Sequence, residues 1–155
     1  MKSGLREDLG EIWIVPVDDL LSYWNSFGAW TELPIGREEI AAAVGEGRLD
    51  PRPYDVMPLG PRDPGFRRYH VERIAWLVVH RDDAPICIDV GAPSLGWHPS
   101  HGDFDFIDGN HRVCAAAFRT DETILVSYGG ECDAMVVLFP RGRIRKPITQ
   151  SQDIT

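Results

Sequence analysis

The segment from Phe104 to Arg119 constrains this chain more than any other part of it. The mostly apolar residues from Phe104 to Ile107 predict a short strand, and Gly109 then favours a tight turn. The residues from Asn110 to Arg119 predict a helix. A helix begins with backbone N–H groups that lack acceptors within it and with partial positive charge, and Arg112 adds a full charge there. This strand, turn and helix start therefore suit a phosphate or another anion.

The rest of the chain alternates between strand and helix patterns. Apolar residues at helical spacing predict a core-facing helix over 69–80 and a shorter helix over 37–44 that ends at Gly45 and Gly47. The predicted strands are 12–15, 86–90, 103–107, 123–127 and 134–139. The second and third of these strands are expected to form a hairpin. The fold class is therefore predicted as α+β, a compact domain with a small mixed sheet and helices packed on it.

Length and proline content set the expected domain organisation. A chain of 155 residues predicts a single domain over 1–155, with its core between 11 and 140. Five prolines between residues 50 and 66 predict a proline-rich loop there. The polar residues 141–155 are expected to form a flexible tail.

Composition narrows the class of partner and the compartment. A net charge of −8 weighs against strong, sequence-independent DNA binding, although two local groups of basic residues exist. These groups are Arg62, Arg67, Arg68 and Arg73, and Arg141, Arg143, Arg145 and Lys146. Three cysteines without a CxxC pair fit reduced thiols in a cytoplasmic protein. No signal peptide is apparent and no apolar run is long enough to span a membrane, so no membrane partner is expected.

The run Asp108-Gly109-Asn110-His111-Arg112-Val113-Cys114-Ala115-Ala116 resembles the DG-(N/H)-HR-x-x-AA signature of the ParB/sulfiredoxin-like superfamily. The order of predicted elements is similar as well, from the opening strand to the strand, glycine turn and helix. The resemblance covers roughly residues 11–128.

The resemblance implies a domain that binds ATP or a related nucleotide with its phosphates at the start of the motif helix. Carried over by position, Gly109, Asn110, His111 and Arg112 would bind phosphate. The implied activity is hydrolysis or transfer of the terminal phosphate with Mg²⁺, and relatives described as nucleases extend it to DNA cleavage. The alternative is a non-catalytic regulator or inhibitor of the same fold, which acts by contact with another protein.

Two departures from the family narrow the implied activity. Sulfiredoxins carry their catalytic cysteine between the glycine and the histidine, where this chain has Asn110, so reduction of a sulfinic acid is not expected. Partition proteins continue into a helix-turn-helix domain and a dimerisation segment. The present 155 residues leave no room for these, so chromosome partition is not expected either.

Each residue near the motif also has an ordinary structural interpretation. Arg112 would clamp phosphate or pair with Asp108 or Asp105. His111 would donate to phosphate and carry a proton, or serve as a packing residue. Asp108 would act in catalysis and hold Mg²⁺, or form an Asx turn.

Acidic and histidine residues elsewhere supply further candidates. Asp18, or its neighbour Asp19, would act as a catalytic base near the terminal phosphate or cap a short helix. Glu131, after a Gly-Gly pair, would polarise water or bind metal, or lie in a hairpin turn. His98, His101 and Asp103 lie within six residues of each other and have side chains that can bind metal. Zinc requires about four ligands, so we expect these three residues to lie in an ordinary loop.

Overall fold

The computed structural model describes residues 11–22, 35–56, 59–60, 62–90, 104–130 and 132–145. The strands are β1 (Trp13–Pro16), β2 (Ile86–Val90), β3 (Phe104–Asp108), β4 (Thr123–Gly130) and β5 (Arg143–Ile144). The helices are α1 (Val17–Leu21), α2 (Arg37–Glu46), α3 (Phe66–Val79), α4 (Asn110–Arg119) and α5 (Cys132–Leu138), with a 3-10 turn at Tyr54–Val56. The α+β class predicted from the sequence is confirmed.

The strands form one mixed sheet in the order β3-β2-β4-β1-β5. Strands β2 and β4 run parallel, and the other neighbouring pairs are antiparallel. As a result, β1 and β3 finish at the same end of the sheet at which β2 and β4 begin. We call this the turn end, because the turn at Gly109 follows β3 there. The turn end therefore gathers Pro16, Ile86, Asp108 and Thr123.

One face of the sheet carries the main core. Alternate strand residues point to this face, as the two-residue period of a strand requires, and α1, α4 and α5 cover them. The buried members are Trp13, Val15, Leu20, Ile86, Ile88, Val90, Val113, Val126, Met135, Leu138 and Phe139. Helix α4 therefore rests directly on the sheet through Val113.

A second apolar layer lies on the side of α4 that faces α3. Ala115 packs with Ile40 of α2 and with Ile74 and Leu77 of α3. The small residues of α4 allow this close approach on two sides. Helix α4 is consequently held between the sheet and the α2–α3 pair, which fixes the position of its first turn.

Two expected elements differ from the structure. Residues 134–139 were predicted as a strand but belong largely to α5, where Met135 and Leu138 are buried while Val136 and Val137 are exposed. That spacing of three is helical, and the β-branched valines favoured a strand prediction only because their exposure was unknown. Within the expected tail, β5 pairs with β1, and Arg145 N–H donates to the Ile12 carbonyl at 2.7 Å.

Among the helices of the described segments, none is both long and apolar enough to cross a bilayer.

Glycine 130 shows how tightly β4 approaches β2. Its φ is +103°, and a Cβ there would lie 1.6 Å from the Val90 carbonyl oxygen. We expect Gly130→Ala to lower the free energy of unfolding by about 3 kcal/mol or more, because it adds both backbone strain and a clash with main chain.

Gly45→Ala is the control, since nothing lies within 4 Å of a Cβ on that helical residue. Chemical denaturation should show it unchanged or about 0.5 kcal/mol more stable. Equal stability of the two variants would contradict the described approach of β4 to β2.

Candidate functional site

The turn between β3 and α4 requires glycine. Gly109 has a φ of +113°, and a Cβ there would lie 2.5 Å from Cγ2 of Ile86 and 2.7 Å from its Cβ. The preceding residue, Asp108, is paired with Cys87 in the sheet. The backbone of the turn is therefore pressed against the first residue of β2, and any other residue would displace the start of α4.

The first turn of α4 is not capped by a side chain. It also holds no acidic residue. The earliest helical hydrogen bond runs from Val113 N–H to the Gly109 carbonyl at 3.0 Å, so the preceding amides have no acceptor inside the helix. The Oδ1 atom of Asn110 is buried and has no hydrogen-bond partner among the described residues. An unsatisfied buried amide oxygen is costly, which favours a water or a ligand group at this position.

Arg112 lies in the same turn and is mostly buried. Its side chain is 15% exposed, with Nη2 3.2 Å from Oδ2 of Asp108 and Nη1 3.8 Å from Oδ2 of Asp82. The salt bridge expected as the alternative to a phosphate clamp is thus present. Both carboxylates are well exposed, at 76% for Asp108 and 43% for Asp82. Ion pairs with such hydrated carboxylates contribute little stability, so an anion of higher charge can compete for the guanidinium.

Arg112 also lines a cleft of about 270 Å³ between α4, the segment before β2 and the start of β4. Two other arginines line it, but they are engaged with acidic neighbours. Arg119 Nη2 lies 2.8 Å from Oδ2 of Asp121, and Arg81 Nε lies 2.8 Å from Oδ1 of Asp83. The cleft is consequently close to neutral overall, and Arg112 is its cation nearest to the helix start.

His111 faces α3 and contacts His70. The His111 Nε2 and His70 Nδ1 atoms are 2.8 Å apart, so one ring donates a hydrogen bond and the other accepts it. The rings are stacked with centroids 5.1 Å apart, and Phe66 and Tyr69 meet them edge-on. Such a pair requires at least one neutral ring, and the aromatic surroundings favour two.

Burial keeps both histidines uncharged near neutral pH. It lowers the pKa of His70 to about 4. Burial, and then the charge that His70 would carry, lowers the pKa of His111 to about 3. His111 therefore adds no positive charge to the helix start. The structure places its Nε2 atom in the contact between α3 and α4.

Asp18 lies at the turn end of the sheet, although not as a helix cap. Helix α1 begins at Val17 after Pro16, so Asp18 and Asp19 are in its first turn, and the expected capping role was wrong. The negative charge of both residues suits the positive end of the helix. Asp19 accepts a hydrogen bond from Arg141 Nε at 3.0 Å, whereas Asp18 is exposed. Helix α1 contacts α4, so Asp18 belongs to an element that packs beside the helix that carries Arg112.

The remaining predicted ligands fall in segments that the structure does not describe. Glu131, His98, His101 and Asp103 lie outside the described residues. Gly130, which precedes Glu131, pairs with Val90 at the far end of β2 from Ile86. Gly129 and Gly130 are therefore the last residues of β4, at the end of the sheet opposite the turn end.

Asp108 and Asp82 are the acidic residues beside Arg112 that could contribute oxygen ligands to Mg²⁺. The described segments hold no group of three or more side chains able to bind a metal ion. Mg²⁺ commonly takes one or two carboxylates together with substrate phosphates and waters. Asp108, which is mostly exposed beside the helix start, fits that mode of binding, in which the ion arrives with a nucleotide.

Sequence reasoning missed His70 and Asp82. His70 lies four and seven residues before Ile74 and Leu77, so the helical stripe already placed it on the buried face of α3. No sequence signal linked it to His111, since their contact joins residues 41 positions apart. Asp82 lies in a connecting segment whose path only the packing of α3 and β2 defines.

The chain matches no protein-family model, no curated protein and no solved structure. The ParB/sulfiredoxin-like assignment therefore stays a prediction, which depends on the motif and on the order of elements.

The histidine pair makes stability depend on pH. Each histidine titrates near pH 6.5 when unfolded but only near pH 4 or below when folded, so the unfolded state binds more protons between these values. Stability should therefore fall as pH decreases from 7 to 5, by on the order of 1–2 kcal/mol for each histidine. His70→Gln removes one of the two groups and should remove about half of this loss, as measured by urea unfolding. His80→Gln is the control, because it removes an exposed histidine outside the pair. The same pH dependence in wild type and His70→Gln would refute the assignment.

Proposed function

We propose that this chain binds the phosphates of ATP or a related nucleotide at the start of α4 and hydrolyses or transfers the terminal phosphate. The observation that carries the proposal is the combination at one helix start of a left-handed glycine, uncapped amides and a mostly buried arginine. Peptide N–H groups and a guanidinium are the donors that phosphate oxygens accept most strongly. The buried Asn110 Oδ1 at the same place is an acceptor, so it would take a hydrogen bond from water and not from a phosphate oxygen.

The carboxylates around Arg112 are the groups that a bound phosphate would have to replace. Without an anion, Asp108 and Asp82 neutralise the guanidinium. A polyphosphate carries more negative charge than either carboxylate, and each of its tetrahedral phosphate groups offers oxygens that a guanidinium fork can meet. We infer that phosphate replaces Asp108 as the partner of Arg112.

The reaction would depend mainly on position and charge. Arg112 and the first amides of α4 would orient the phosphates and stabilise charge that develops on their oxygens. When bound, Mg²⁺ would neutralise part of the phosphate charge. Its protein ligand would be Asp108, which phosphate would have displaced from Arg112. Asp18 is exposed on α1 and would accept the proton of the attacking hydroxyl group or water.

A protein-binding function is the second candidate, and one observation favours it. Helix α5 leaves the neighbouring residues Val136 and Val137 exposed, at 55% and 78%. Exposed apolar residues next to each other are suited to contact with another protein. DNA cleavage has less support, because the net charge of −8 opposes contact with a phosphate backbone.

Binding is tested by calorimetry with ATP and with inorganic tripolyphosphate. Arg112→Ala should weaken both ligands by roughly tenfold or more, because a charge-assisted contact is lost. Arg143→Ala is the matched control, since it removes the same charge from β5 at the opposite edge of the sheet from β3. Asp108→Asn should increase the affinity for tripolyphosphate in the absence of Mg²⁺. Equal losses of affinity in Arg112→Ala and Arg143→Ala would show that binding depends only on the net charge of the protein.

Turnover is tested by phosphate release from ATP with Mg²⁺. Asp18→Asn should lower the rate by roughly 100-fold while nucleotide affinity stays the same, as removal of a general base does. Asp133→Asn is the control, because Asp133 is also an exposed aspartate in the first turn of a short helix. Tight nucleotide binding without phosphate release from wild type would favour the regulatory function instead.

A further inference from the structure

An exposed tyrosine stands at the end of a stack of rings that starts in the first turn of α4. Tyr54 stacks on His70 with ring centroids 5.7 Å apart and an angle of 21° between the planes. His70 in turn stacks on His111 at 5.1 Å and 19°. His111 is the second residue of α4, and helical side chains tilt toward the N-terminus of their helix. The row of three rings therefore leads from the helix start to the surface.

The outer ring of this row is accessible. Tyr54 is 44% exposed, which is high for an aromatic residue that stacks on a buried histidine. Its hydroxyl group donates to the Leu59 carbonyl at 3.1 Å, so the polar tip of the ring is bonded while part of its surface faces solvent. Tyr54 thus presents an aromatic surface rather than a free hydroxyl group.

The segment that carries Tyr54 is fastened to α3. Tyr69 donates through its hydroxyl group to the Arg52 carbonyl at 2.6 Å, and Arg73 Nη1 donates to the Pro51 carbonyl at 2.8 Å. Asp50 N–H donates to the Glu72 carbonyl at 3.0 Å. Prolines restrict the backbone of the same segment further. The position of Tyr54 is consequently set before any ligand arrives, which lowers the entropic cost of binding.

We infer that Tyr54 is the base-stacking residue of the nucleotide site. The inference depends on the proposed function, because it places the base by reference to phosphates at the start of α4. A ribose and its α-phosphate separate the base from the terminal phosphates, and they would have to cross the centroid steps of 5.1 and 5.7 Å that lead from His111 to Tyr54. Stacking on an aromatic ring is tolerant of base identity, so the site would accept purine nucleotides without strict discrimination between them.

The test compares ATP with inorganic tripolyphosphate, which has the phosphates but no base. Tyr54→Ala should weaken ATP binding roughly 5- to 100-fold, which is the range expected for the loss of one base–aromatic stack. The affinity for tripolyphosphate should stay unchanged. Tyr54→Phe keeps the ring and loses only the bond to Leu59, so it should bind ATP as wild type does. Val56→Ala changes another exposed apolar residue of the same 3-10 turn and should have no effect on either ligand.

The outcomes separate the two proposals. Arg112-dependent tripolyphosphate binding, with ATP bound equally by wild type and Tyr54→Ala, would overturn the stacking role and leave the phosphate site intact. Parallel losses of ATP and tripolyphosphate in Tyr54→Ala would also overturn it, because they would show a structural role for the tyrosine. If neither compound binds wild type, the phosphate site and the stacking role both fail.

Discussion

The close contact between Gly109 and Ile86 is the constraint on which the site depends. It brings the end of β3 against the start of β2 and sets where α4 begins. The same helix is then fixed on two sides, by Val113 against the sheet and by Ala115 against α2 and α3. The uncapped first turn, with Arg112 and Asn110, is therefore held in place by the core and does not depend on a flexible loop. Preorganised donors of this kind gain affinity because little order has to be created on binding.

The sequence predicted the local part of this arrangement well. The bounds of β2 and α4 agree with the prediction, because a short apolar run after a proline and a glycine turn before a helix leave few alternatives. The helix start was predicted as an anion site from residue types alone, since the dipole and the charge of Arg112 do not depend on the rest of the fold. The prediction of a strand over 134–139 was wrong, because two adjacent valines are typical of a strand when it is not known that both are exposed.

Contacts between distant parts of the chain were beyond sequence reasoning. The pairing of His70 with His111 depends on how α3 packs on α4, and the pairing of Asp82 with Arg112 depends on the path from α3 to β2. Both change the chemistry of the site. The first makes His111 a neutral residue of the α3–α4 contact. The second, together with Asp108, gives Arg112 two carboxylate partners, which the proposed phosphate would replace.

The most direct test of the anion site is an NMR titration of the isotopically labelled protein with inorganic tripolyphosphate. Backbone amides of a helix start that bind phosphate change their shifts strongly, because their N–H groups gain a charged acceptor. The amides of Asn110, His111 and Arg112 should therefore show the largest changes, and these changes should saturate. Shifts concentrated elsewhere, or no saturable change at these three amides, would contradict the proposed phosphate site.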